Sequence, residues 1–460
     1  MKAQDYFISK AFLPTGWARD VRLRVTDQGL IANVRAGAIA EPGDQHLGTV
    51  LPGIANAHSH AFQRAMAGMS EYRMSHTDSF WSWRNTMYQY ANRVSPQGLH
   101  AIASQLYVEM LKGGYTSVAE FHYLHHQPDG TRYANRSQLS QSIIDAANLS
   151  GINLTLLPVL YMASGFGGAG LLDAQKRFGN SLNDYFKLHG EASNYCADQP
   201  QHCVGMALHS LRAVTPEAID QALGHFIHAH PQRPIHIHVA EQLREVEQSL
   251  AILGQRPVEW LLNNHKIDSN WCLIHATHMT MEETTALAAT GATVGICPTT
   301  EANLGDGLFP LDDYLRAGGS IAIGSDGNSA IDPFEEMRWL EYGQRLASGR
   351  RNVAMGKNDM HTGSHLYRNC AVGGGCAINA PTGAIADGCR ADLLVLDDRP
   401  PERAELEPRY LLDNLLFSPS ERPIADVMVN GKWRIQAGHH NDEEVIAENF
   451  AKALRVLRSV

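Results

Sequence analysis

Two kinds of hydrophobic pattern divide this chain. Near its start, Val21, Leu23 and Val25 alternate with Arg22 and Arg24, and an apolar run over 29–34 follows a turn at 27–29. A period of two predicts antiparallel strands with one buried face. From Val50 the pattern becomes strand, loop and helix, repeated. One apolar strand ends at His60, and seven more runs follow at 115–122, 152–161, 203–210, 234–240, 271–276, 292–297 and 320–325. Helical patterns separate most of them. One starts at Ser95-Pro96 and stops at Gly113-Gly114, and others cover 216–230, 257–262 and 281–289. Eight strands, largely apolar on both faces and separated by helices, predict an α/β fold with a TIM-like parallel (β/α)₈ barrel. The aromatic stretch Ser79-Phe80-Trp81-Ser82-Trp83-Arg84 reads as a loop, either a lid or local packing.

The pattern changes again near the end. Residues 383–397 read as a turn leading into a strand, and 425–433 as two strands joined at Asn430-Gly431. These pieces can pair with the N-terminal strands into a small composite β-sandwich built from both chain ends. The expected division is residues 1–50 for its first part and 51–380 for the barrel. Residues 381–460 then supply its second part and a terminal helix.

Composition narrows the class. The 460 residues are 44% hydrophobic and 19% charged, as in an ordinary globular protein. A formal charge of −10 leaves no basic footprint, which excludes nucleic acid as a partner. No apolar run is long enough to span a bilayer, and the N-terminus lacks signal-peptide features. Seven cysteines without a CxxC pair fit reduced thiols and a cytoplasmic location.

If the barrel is correct, chemistry belongs at the C-terminal ends of its strands. The first strand supplies His58 and His60, which share one strand face. On spacing alone this is either half a metal site or one more pair among 23 histidines. Further strand ends supply Glu120, His122 and Tyr123, then His209 and Arg212. Beyond them come His236, His238 and Glu241, then His275 and His278, and finally Asp326. So many ionisable groups closing apolar strands are hard to explain as packing, because unpaired buried charge is costly. His58, His60, a fifth-strand histidine and Asp326 suit Zn²⁺ with a position left for water. Such a metal brings the pKa of its water to about 7. Glu241 is then a candidate proton carrier; its plainer reading is an acidic first-turn residue of the following helix. His236 reads as a packed group. His125, His126, His228, His230, His439 and His440 read as loop or surface residues.

The HxH after a Pro-Gly strand, with His238, Glu241, His275 and Asp326 in that order, resembles the amidohydrolase superfamily and its mononuclear-metal deaminase branch. No carboxylated lysine is implied. Within the branch, the stretches 56–68, 78–84, 119–123, 209–216, 236–242 and 299–307 are similar to the formimidoylglutamate deiminase family. That family hydrolyses N-formimidoyl-L-glutamate to N-formyl-L-glutamate and ammonia in histidine degradation. The resemblance implies one Zn²⁺ per subunit held by His58, His60, His238 and Asp326, and a homodimer. It assigns Asp326 to accept the water's proton, His275 to orient the hydroxide and stabilise charge, and Glu241 to protonate the leaving nitrogen. A substrate with two carboxylates suits planar guanidinium groups. Arg84 and Arg212 are the candidates, helped by Gln63, Tyr123 and His209; the plainer reading of each arginine is a surface ion pair. The alternatives are another deaminase of the branch, acting on a guanine-like or other heterocyclic amine, and a silent relative that works by binding. One departure stands out. After Asp326 the chain reads Gly327-Asn328, where the family more often has Ser-His or Ser-Gln.

Overall fold

A computed structural model of the chain describes residues 2–72, 80–356, 359–418 and 423–459. The chain opens with four strands, β1 (Gln4–Leu13), β2 (Gly16–Val25), β3 (Ile31–Arg35) and β4 (Gln45–Pro52). The barrel follows as β5 (Ile54–Ser59), β6 (Tyr115–His122), β7 (Asn153–Leu160), β8 (Cys203–Val204), β9 (Met206–Leu208), β10 (Ile235–Val239), β11 (Trp271–His275), β12 (Thr293–Ile296) and β13 (Ser320–Ile323). β8 and β9 are two halves of one strand interrupted at Gly205. All barrel pairings are parallel, in sequence order from β5 to β13. The apolar runs read from the sequence therefore lie within a residue or two of the observed strands.

The barrel closes at a seam between β5 and β13, where Ser59 and Asp326 form a parallel bridge. The Asp326 N–H donates to the His58 carbonyl at 2.9 Å, and the His60 N–H donates to the Asp326 carbonyl at 3.0 Å. Helix Thr362–Ala377 lies across this seam. A Cβ at Gly373 would sit 1.8 Å from the Ile321 carbonyl oxygen, so the helix can approach this closely only without a side chain there.

The last strands, β14 (Leu393–Leu396), β15 (Ile424–Val429), β16 (Lys432–Gln436) and β17 (His439–His440), join β1–β4 in one eight-stranded sheet. The two chain ends meet where β14 runs antiparallel to β4. Tyr6 and Trp433, with three strands between theirs in the sheet order, touch edge to face at 6.4 Å between centroids. The sheet therefore curls around its own core of Ile8, Val21, Leu23, Val50, Leu393 and Met428. β4 runs on to Pro52, so the chain passes from this sheet to the barrel at Gly53. Helix Glu443–Arg458 ends the chain against helix Pro96–Gly113. Ser95 caps that second helix by accepting from the Gly98 N–H at 3.0 Å, and Gly114 ends it at φ 112°. Among the described residues no helix is long and apolar enough to cross a membrane, and all seven cysteines are free thiols.

The aromatic stretch differs from expectation. Residues Phe80–Ala91 form a helix, not a loop, and bury Phe80, Met87, Tyr88 and Ala91 on one side. Those positions recur at helical spacing, but Trp, Ser, Asn and Tyr are indifferent helix formers, so packing rather than propensity sets the helix. Asp78 and Ser79 of the same motif lie outside the described residues.

Candidate metal and substrate site

Four side chains converge over the mouth of the barrel. His58 Nε2 lies 3.0 Å from His238 Nε2 and 3.5 Å from Asp326 Oδ1, and His60 Nε2 lies 3.3 Å from the same oxygen. The far nitrogens of two rings are fixed by backbone. His60 Nδ1 donates to the Phe121 carbonyl at 2.9 Å, and His238 Nδ1 donates to the His209 carbonyl at 2.9 Å. Those bonds set the tautomer and turn each Nε2 lone pair inward. Lone pairs at such separations repel one another unless a cation lies among them. Three imidazole nitrogens and one carboxylate oxygen are a zinc donor set, so these residues fit the metal expected from sequence. Burial pushes the His58 imidazole down to about 3 and holds His60 and His238 below the usual range, which keeps all three neutral as ligands must be. Burial works against ionisation of Asp326, but its bond to His58 and the surrounding imidazoles hold its carboxyl below the usual range.

His275 and Glu241 flank this cluster. His275 Nε2 is 3.8 Å from Glu241 Oε1 and 3.8 Å from Asp326 Oδ2. On its other side, His275 Nδ1 donates to Glu301 Oε1 at 3.1 Å. Burial disfavours a charged His275, yet Glu241, Glu301 and Asp326 together push its imidazole up to about 10. Burial raises the Glu241 carboxyl, against the opposing pull of His275 and Arg212. Positive backbone φ recurs here at non-glycine residues: 51° at Ala240, 70° at His275, 47° at Ala276, 43° at Asp326 and 56° at Asn328. Strain of this kind persists where surrounding structure fixes a functional geometry.

A cleft of about 690 Å³, its open mouth included, leads to the cluster and is lined by Gln63, Arg84, Tyr123, His209 and Arg212. The structure thus brings together every predicted site residue. Gln63 Nε2 donates to the Tyr123 hydroxyl at 3.1 Å. Arg212 is buried, with its guanidinium 3.7 Å from Glu241 and 3.8 Å from Glu245. Gln63 Oε1, Arg84 Nε and Arg212 Nε are buried without a hydrogen-bond partner among the described residues. Three unmet polar atoms on the walls of one cleft point to a polar ligand.

Several contributors were not foreseen. Tyr88 and Tyr161 line the cleft, their hydroxyls both accepting from Gln175 Nε2, at 3.0 and 2.9 Å. Glu245 sits behind Arg212, and Glu301 behind His275. The stretch 299–307 carried a signal for Glu301, but nothing in its spacing assigned it a role. Glu120, noted as a strand-end acid, lies behind the HxH and accepts from the Ala61 N–H at 2.6 Å, Ser59 Oγ at 2.9 Å and the Tyr107 hydroxyl at 3.2 Å. His236 is packed as expected, bonding the Ala377 carbonyl at 2.8 Å. His125 and His126 lie in the loop after β6, as expected, but are buried there, and like the buried His440 of β17 they bond backbone carbonyls. Asn328 is wholly buried and faces the seam, so the departure after Asp326 supports the ligands from behind.

Comparison with known proteins agrees with this geometry. Residues 49–434 match the amidohydrolase family, and residues 7–47 match the N-terminal domain described as formimidoylglutamate deiminase HutF. The chain is 46% identical to a formimidoylglutamate deiminase of Pseudomonas aeruginosa, over 97% of this chain and 98% of that one. An 8-oxoguanine deaminase of the same organism is 27% identical over 85% of this chain and 82% of its own. Among solved structures, an amidohydrolase from Brucella melitensis superposes with a TM-score of 0.93 at 42% identity, covering 99% of both chains. A zinc-bound adenosine deaminase from Xanthomonas campestris gives 0.81 at 21% identity, covering 99% of both, and so supports the fold.

Proposed function

The chain belongs to the amidohydrolase family, and we propose that it is a zinc-dependent deiminase that hydrolyses N-formimidoyl-L-glutamate to N-formyl-L-glutamate and ammonia. The observation that carries this reading is the pairing of one donor cluster with two cleft arginines, Arg84 and Arg212, each with an unmet buried Nε. Guanidinium groups match the two carboxylates of this substrate by bidentate bonds. A guanine-like heterocycle offers neither carboxylate.

His58, His60, His238 and Asp326 would hold the Zn²⁺. When bound, the ion lowers the pKa of a coordinated water to about 7 and so supplies a nucleophile at neutral pH. Asp326 Oδ2 accepts the proton of the attacking water. His275 Nε2, between Asp326 and Glu241, directs the attack and donates toward the charge that develops as the formimidoyl carbon becomes tetrahedral. Glu241 delivers its proton to the terminal nitrogen, Asp326 passes on the proton taken from the water, the C–N bond breaks as the new hydroxyl returns its proton to Glu241, and ammonia leaves. Positioned proton transfer of this kind contributes about 10² to 10⁴ in rate. The walls bind and orient: Arg84 and Arg212 take the carboxylates, while Gln63, Tyr123 and His209 line the path to the reacting end. Free thiols fit a reducing cytoplasm, and a homodimer completes the reading.

Incubating the purified protein with N-formimidoyl-L-glutamate and following ammonia tests it. Release should require metal, stop with chelator and return with Zn²⁺. It should fall about 10² to 10⁴-fold in Glu241→Gln. No ammonia from the zinc-loaded protein, or turnover of heterocyclic amines alone, would overturn it.

A further inference from the structure

The cleft arginines have a companion outside it. Helix Phe80–Ala91 carries both Trp81 and Arg84, and helix Leu243–Leu253 begins just after Glu241. Three guanidinium groups surround the Trp81 ring: Arg84 at 4.5 Å, Arg244 at 4.5 Å and Arg212 at 6.0 Å from its centroid. Arg84 and Arg212 line the cleft, whereas Arg244 is exposed and does not. Its place is unfavourable by ordinary helix rules, since the first turn prefers acidic residues and disfavours cations. The ring supplies the compensation, because an aromatic face attracts a guanidinium.

Charge balance sharpens the point. Three cations crowd one ring, and among the described residues only Arg212 of the three has a carboxylate within 4 Å.

We propose that Arg244 is a positioning residue for substrate binding: stacked on Trp81, it fixes the ring against Arg84 and so holds the carboxylate-binding wall of the cleft in place. The inference rests on the reading of Arg84 and Arg212 as carboxylate ligands. It predicts an effect on binding and none on bond breaking, because Arg244 lies outside the lining of the cleft that holds His60, His238, Glu241, His275 and Asp326. Its size is that of one exposed cation–π contact, a factor of about two to five.

The test uses zinc-loaded wild type, Arg244→Ala and Arg244→Lys with N-formimidoyl-L-glutamate. In Arg244→Ala, KM should rise about two- to fivefold with kcat within twofold and an unchanged melting temperature. In Arg244→Lys, KM should fall between the two, because the charge is kept and the planar stack is lost. Absence of turnover in the wild type removes the deiminase reading itself. Wild-type turnover with a KM insensitive to Arg244→Ala overturns this inference alone, and so does a kcat that falls together with the melting temperature.

Discussion

His60 and Asp326 meet twice across the barrel seam: the His60 N–H donates to the Asp326 carbonyl at 3.0 Å, and His60 Nε2 lies 3.3 Å from Asp326 Oδ1. The backbone bond that closes the barrel thus also sets the spacing of two side chains of the candidate metal site. Behind them, Asn328 Nδ2 donates to the His60 carbonyl at 3.0 Å and to Ser59 Oγ at 3.2 Å, while its Oδ1 accepts from Ser325 Oγ at 2.6 Å. Closure and ligation therefore share one polar network.

Replacing Asn328 with Ala should weaken both. It leaves the buried His60 carbonyl without this donor and places a side chain less tolerant of positive φ at 56°. The expected loss is about 1–3 kcal/mol of stability and, by the usual effect of groups that orient ligands, about 10- to 100-fold of zinc affinity. Denaturant unfolding and chelator competition measure the two. An Asn328→Ala protein that keeps its zinc as the wild type does would break the proposed link.

Much of this was legible in the sequence because barrel strands and strand-end ligands leave regular marks. Apolar runs such as Tyr115–His122 need no partner to be recognised, and the two-residue spacing of His58 and His60 follows from strand geometry. The rest depended on contacts between distant segments. Asn328 read only as a departure after Asp326 because its partners, Ser59 and His60, are some 270 positions away. Helix Phe80–Ala91 escaped notice because aromatic packing, and not helix formers, holds it. Arg244 carried no motif, and only its stacking on Trp81 gives it meaning. Nor could spacing show that His125 and His126 would be covered by the loop carrying Gly179.

Away from the site, His202 should make stability pH-dependent. Its Nδ1 accepts from the Leu154 N–H at 3.2 Å and its Nε2 donates to Asn148 Oδ1 at 3.0 Å, so the neutral ring is satisfied on both sides. Protonation would set Nδ1–H against Leu154 N–H. Burial first, and then Arg390, push its pKa down to about 4. The unfolded histidine, near its ordinary value of 6.5, takes up a proton before the folded one does. This contribution is therefore complete above about pH 6.5 and is lost as pH falls toward 4. At about 1.4 kcal/mol per unit it reaches ~3 kcal/mol. Unfolding free energies at pH 7 and 4.5 should differ less in His202→Gln than in the wild type. Equal slopes would show that His202 is not responsible.

Glu301 offers the sharpest test of how His275 is held. One oxygen, Oε1, accepts both the Cys297 N–H at 3.0 Å and His275 Nδ1 at 3.1 Å, so the carboxylate ties the imidazole to the end of β12. Its negative charge also helps keep His275 protonated. Glu301→Gln preserves shape and an acceptor while removing that charge. It should keep the zinc, because Glu301 touches none of the ligands, and it should keep the fold, because a neutral amide is cheaper to bury than a carboxylate. The imidazolium, less stabilised, should lose its proton at lower pH. The alkaline limb of kcat/KM then moves to lower pH, and kcat at neutral pH falls about 10- to 100-fold, the usual consequence of disturbing a group that orients a site residue. A Glu301→Asp protein, with its carboxylate drawn back by one carbon, should retain the charge but lose the contact, separating orientation from electrostatics. If Glu301→Gln leaves both kcat and the alkaline limb where they were, His275 does not depend on Glu301 and its role must be carried by Asp326 and Glu241 alone.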